Sequence, residues 1–128
     1  MKHVFSALIV GATFAAAQAQ ACDYPTAPGA FPDGNVATKE EMLAAKGQVV
    51  KYNSDMDAYL GCLKTEYDAS VAGLTNPTKE QLAKMEKTQS EKQDAAIKEV
   101  TDATDRFNVQ LRAWKAKNAP PAAAAEKK

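Results

Sequence analysis

Between Met42 and Leu63 the apolar and small residues recur at Met42, Ala45, Val49, Tyr52, Met56, Tyr59 and Leu63. The spacings alternate three and four, which is the seam of a helix packed lengthwise on another. Tyr67 and Val71 continue the stripe. Thr38-Lys39-Glu40-Glu41 stands just before it and has the form of a capping box, in which the Thr38 hydroxyl accepts an amide hydrogen bond and Glu41 reaches back. Gly73 is placed as a C-cap. The pattern predicts a helix over about 39–73.

Leu74-Thr75-Asn76-Pro77 reads as a turn, and a second helix starts near Asn76 or Thr78. Pro77 suits a first helical position, while Thr78 with Gln81 forms a second capping box. This helix is predicted to run over about 78–117. Its apolar positions are Leu82 and Met85, then Ile97, Val100, Phe107, Leu111 and Trp114. Between them, Glu86 to Asp94 is almost wholly polar, helical by propensity but with little to bury. So short a connection forces the helices antiparallel. The expected fold class is therefore all-α, an antiparallel two-helix hairpin over residues 38–117. Val49 then falls opposite Val100–Ala103, Met42 and Ala45 fall near Phe107 and Leu111, and Cys62 falls opposite the polar middle of the second helix.

Neither flank is helical by this reading. Residues 20–37 hold Pro25, Pro28, Pro32, Gly29 and Gly34, and predict an extended arm with a turn at Pro32-Asp33-Gly34. After Asn118-Ala119-Pro120-Pro121 the Ala-rich, Lys-ended segment is expected to be a disordered tail over 118–128. At the other end, Lys2 precedes an apolar run from Val4 to Ala17, and Ala17-Gln18-Ala19 is an A-x-A cleavage signature. Residues 1–19 are expected to be a cleaved signal peptide, with Ala21 as a second cleavage point. No transmembrane span is expected after cleavage. Cys22 directly follows Ala19-Gln20-Ala21, so acylation of Cys22 is the competing reading, although Ala19 and Gln20 fit a lipobox poorly.

In an exported chain the pair Cys22 and Cys62 reads as one disulfide. The sixteen residues from Cys22 to Thr38 reach up to roughly 53 Å, and Thr38 to Cys62 along a helix is about 36 Å. The arm is thus long enough to fold back along the first helix and be pinned at Cys62, with Tyr24, Pro25, Pro28 and Phe31 adding apolar surface that two helices alone would lack.

Charge and chemistry remove more than they add. The chain has 16 basic and 16 acidic side chains. Lys2 leaves with the leader, so the rest is formally −1, with no basic excess for nucleic acid. The single histidine is His3, inside the leader. Without it the mature chain lacks the commonest general base and the commonest zinc ligand. There is no phosphate-binding Gly-rich loop and no C-x-x-C pair. Asp102 and Asp105, three apart near Glu99, share a helix face, but Lys98 and Arg106 beside them favour a solvated charged surface over a cation site. Met42, Met56 and Met85 lie on apolar stripes and read as core. No cofactor, metal or catalytic residue is expected. The candidate partner-binding face is Tyr52, Tyr59 and Tyr67 along the first helix, with Trp114 closing the hairpin over Ala37 and Met42.

The stretch Phe31-Pro32-Asp33-Gly34…Ala37-Thr38…Glu41-Met42-Leu43-Ala44-Ala45…Val50…Tyr52…Met56…Tyr59-Leu60…Cys62-Leu63 resembles a recurring pattern in small uncharacterised exported proteins of proteobacteria. The resemblance covers residues 22–63. It implies an envelope location and the arm-plus-hairpin arrangement, and it implies no activity. The expectation is a non-enzymatic exported envelope protein, periplasmic or secreted, acting as a helical binding or scaffolding module. Its partner would be another envelope protein or a second copy in a homodimer. A periplasmic holdase-type chaperone or stress protein is the alternative, or a surface lipoprotein if Cys22 is acylated.

Overall fold

Both helices start where their capping boxes set them in the computed structural model, which describes residues 22–120. Helix α1 spans Lys39–Ala72 and helix α2 spans Lys79–Lys117. At α1 the Thr38 hydroxyl accepts the Glu41 N–H at 3.2 Å, and the Glu41 carboxylate accepts the Thr38 N–H at 2.8 Å. Thr78 and Gln81 repeat this at α2, at 3.1 and 2.9 Å. Each box satisfies two amides that the helix itself leaves without partners. The expected leader, residues 1–19, and residues 121–128 of the expected tail lie outside the described residues.

Two local expectations change in the connection. Pro77 is not the first helical residue. Thr78 is the N-cap, so Pro77 lies before it, because a box that makes two hydrogen bonds outweighs the mere absence of a proline N–H. Gly73 does cap α1, donating its N–H to the Ala69 carbonyl, yet it stays right-handed at φ −76°. The left-handed residue is Asn76 at φ 52°, a conformation that asparagine tolerates better than other side chains.

All seven stripe residues of α1, from Met42 to Leu63, are buried. Their counterparts on α2 are Ala96, Ala103 and Phe107, with Val100, Leu111 and Trp114 packed against them. Ile97 corrects the expected apolar stripe, for it is 55% exposed while Ala96 is fully buried. The seam on α2 runs 96, 100, 103, 107. Alanine at two of those positions leaves room for Tyr52, Met56, Tyr59 and Leu63, so large side chains on one helix meet small ones on the other. Burial stops at Leu63 and Ala96. Towards the connection Tyr67, Leu82, Met85 and Gln89 are only half-buried, as the polar run from Glu86 to Asp94 dictates.

The extended arm forms the third layer. Cys22 and Cys62 are disulfide-bonded, with Cα atoms 5.8 Å apart. From there the arm runs back along the hairpin to Asp33, whose carbonyl accepts the N–H groups of Val36 and Ala37 and turns the chain into α1. Tyr24 meets Tyr59 edge-on with centroids 4.9 Å apart, and Phe31 meets Phe107 at 5.6 Å. Such pairs contribute about 0.5–1.5 kcal/mol beyond their area. Among the described residues there is no strand.

Candidate functional site

The arm lies in the groove on one side of the hairpin, and α2 supplies the polar groups that hold it. Arg106 stands one turn from the buried Ala103. It donates to the carbonyls of Pro28 at 3.2 Å and Gly29 at 3.3 Å, and its guanidinium lies 5.6 Å from the Phe31 centroid. One side chain thus satisfies two backbone acceptors of a segment that has no secondary structure of its own. Four residues on, the side-chain Oε1 of Gln110 accepts the Gly34 N–H at 2.9 Å. Here the arm backbone touches the backbone of α2. A Cβ on Gly34 would lie 2.0 Å from the Gln110 main-chain oxygen and 2.8 Å from the Trp114 nitrogen.

Glu99 completes this set. Its carboxylate accepts the Tyr52 hydroxyl at 3.2 Å. Burial, then the charge and hydrogen bond of Glu99, push the Tyr52 phenol up to about 12. Tyr24 is raised in the same sense, again chiefly by burial and then by Glu99. Glu99 therefore serves the arm–helix junction and does not join the acidic residues beside it. Asp102 pairs with Lys98 on the surface, and no cluster of three metal-ligating side chains occurs among the described residues.

The four aromatic residues singled out in the sequence do not make one surface. Tyr52 and Tyr59 are 3% and 9% exposed, so neither presents a ring to a partner. Tyr67 is half-buried and lines a shallow cleft of about 230 Å³ near the connection, with Met85, Gln89, Lys84 and Lys92. That volume falls below the usual range for a small-molecule site. Trp114 packs on the cluster of Ala37, Met42 and Phe107, and so closes the open end of the hairpin. The residues that clamp the arm, Gly34, Glu99, Arg106 and Gln110, carried only a faint signal in the sequence. They sit three or four positions from Ala103 and Phe107, or at a glycine in a turn, and could be found only once the arm was known to lie on that side.

The other side of the hairpin carries no arm. Nine positions separate Ile97 from Arg106 and Asn53 from Cys62, which is two and a half helical turns. Ile97 and Asn53 therefore face away from the arm. On that side Leu43 is 57%, Val50 59% and Ile97 55% exposed, and Asn53 Oδ1 is buried without a hydrogen-bond partner. Comparison with known proteins found no matching family model, no matching curated protein and no matching solved structure. What the geometry defines is an all-α hairpin with one flank sealed by a disulfide-bonded arm and the opposite flank open.

Proposed function

We propose that the chain is a non-enzymatic exported envelope protein, periplasmic or secreted, that acts as a helical binding or scaffolding module. The observation that carries this reading is the difference between the two flanks. One is filled by the protein's own arm, and the other leaves Leu43, Val50 and Ile97 more than half exposed on a firm helical platform. The other exposed apolar side chains, Tyr24, Val36, Leu74 and Val109, lie on or beside the arm or at the connection. Leu43, Val50 and Ile97 instead share a flank that no segment of the described chain covers, and such a shared patch marks an interaction surface. The Cys22–Cys62 bond supports an oxidising location. It also occupies the Cys22 sulfur that a lipid would need, which favours the unacylated form. No described helix is long and apolar enough to cross a membrane.

The test is the intact mass of the protein recovered from the envelope fraction of its own cell. Cleavage after Ala19, a mass two hydrogens below the reduced chain and no acyl adduct are expected. An unprocessed, reduced chain in the cytoplasm would overturn the reading. The same exposed residues suit a holdase, whose measure is suppression of aggregation of an unfolded client. A stoichiometric effect would favour that alternative over a scaffold.

A further inference from the structure

The open flank of α1 has a sequence that complements itself when reversed. Its positions are Leu43, Lys46, Val50, Asn53, Asp57 and Leu60, all exposed except the half-buried Asn53 and Leu60, the latter also packed on the hairpin's own core. Their spacing of three, four, three, four, three reads the same in both directions. We propose that a second copy of this chain covers this flank, with α1 antiparallel to the partner's α1 about a two-fold axis at positions 51–52. Leu43 then meets the partner's Leu60, Lys46 meets the partner's Asp57, and Val50 meets the partner's Asn53. Each contact occurs twice, as an isologous interface requires. Read parallel instead, the same positions would place Lys46 on lysine and Asp57 on aspartate, so charge selects the antiparallel arrangement.

Three observations support a second copy as the occupant. Lys46 and Asp57 are both exposed, and neither takes part in the ion pairs formed among the described residues, unlike Lys51, Lys64, Asp55 and Asp68 on the same helix. Asn53 lies beside the axis, half-buried and opposite the partner's Val50, and its Oδ1 has no hydrogen-bond partner within the single chain. Ile97 on α2 lies on the same side and extends the apolar patch beyond one helix. The patch is modest. Leu43 to Leu60 spans about 26 Å, and two helices are about 20 Å wide. The total buried area is then about 1,000 Å², at the lower edge of specific interfaces. The dimer is accordingly weak, with a dissociation constant in the micromolar range.

This inference rests on reading the open flank as an interaction surface, and the experiment separates the two. Sedimentation equilibrium is run on the oxidised protein over a wide concentration range, with circular dichroism to show that each variant keeps its helices. The wild type is expected to show a monomer–dimer equilibrium that weakens with salt. Lys46→Asp and Asp57→Lys each set like charges together twice and should weaken it about tenfold. The double variant restores the pairs in reverse and should return to within about twofold of wild type. A wild type that stays monomeric throughout, a dimer indifferent to the single variants, or a double variant that is not rescued would each overturn the inference. A monomer that is still exported and oxidised leaves the scaffold reading standing. A cytoplasmic, reduced protein defeats that reading whatever its oligomeric state.

Discussion

Gly34 shows how much one residue without a side chain decides. The turn after the arm brings its backbone against α2, and a Cβ there would lie 2.0 Å from the main-chain oxygen of Gln110. A helix backbone cannot yield as a flexible side chain would, so the turn must lift. Gly34→Ala should cost about 1–3 kcal/mol, which thermal unfolding would register at about 4–8 °C for each kcal/mol. An unchanged melting temperature would mean that the arm does not press on α2. Tyr52 offers a second residue-level reading. Its folded pKa, about 12, stands above the ordinary phenol value of 10.0. The fold favours the protonated form, so this contribution is complete below pH 10 and is lost as pH rises from 10 to 12. A tyrosinate absorbance titration should show a group titrating near pH 12 that disappears in Tyr52→Phe, leaving the raised Tyr24 behind. If the group near pH 12 persists in that variant, the assignment fails.

For the helices, the pattern was legible where local chemistry and burial agreed. The 3-4 stripe on α1 names its buried residues because they repeat along one face, while Leu43, Val50 and Leu60 stand off that face on the open flank. The caps are legible because Thr38 with Glu41 and Thr78 with Gln81 satisfy the first amides without help from the rest of the chain. On α2 the same reasoning picked Ile97 over Ala96, since hydrophobicity alone cannot tell that the seam needs small residues opposite Tyr52 and Met56. The arm's clamp was hidden for a related reason. Arg106 and Gln110 are surface residues by type and became partners only when an irregular segment settled against them. Nothing in the linear sequence marks which flank that segment takes.

The same element contains a residue that opposes it. Gly47 lies mid-helix in α1, and a Cβ there would meet nothing within 4 Å. Gly47→Ala should therefore stabilise the protein by about 0.5–1 kcal/mol through helix propensity alone. Thr38→Ala works the other way, removing the α1 cap at a cost of about 1 kcal/mol. Chemical denaturation of the pair measures both. A neutral Gly47→Ala would show that α1 needs flexibility at that turn.

For the whole molecule, stability depends on the arm staying in place. Two helices of 34 and 39 residues share a buried seam over only part of their length. The Cys22–Cys62 bond joins residues 40 apart. In the chain-entropy account, closing such a loop contributes about 4 kcal/mol, a large share of what a domain this small possesses. Reduction should lower the melting temperature and bare the apolar groove beneath Tyr24 and Phe31, which an environment-sensitive dye would report. An unaltered melting temperature on reduction would mean that aromatic contacts and Arg106 hold the arm unaided.

The buried seam begins well away from the connection, and this reverses the usual order of events in a hairpin. Contacts near a turn ordinarily form first because little chain entropy is lost in closing them. Here the turn-proximal stretch is polar, and the apolar pairs that reward closure, such as Met42 with Phe107, lie far apart along the chain. Closing the seam therefore spans at least the 33 residues from Leu63 to Ala96 before apolar burial begins. This should slow folding relative to a hairpin whose apolar pairs start at the turn, a difference stopped-flow refolding would measure. Native-state amide exchange should follow the same gradient, fastest beside Asn76 and slowest around Met56 and Ala103.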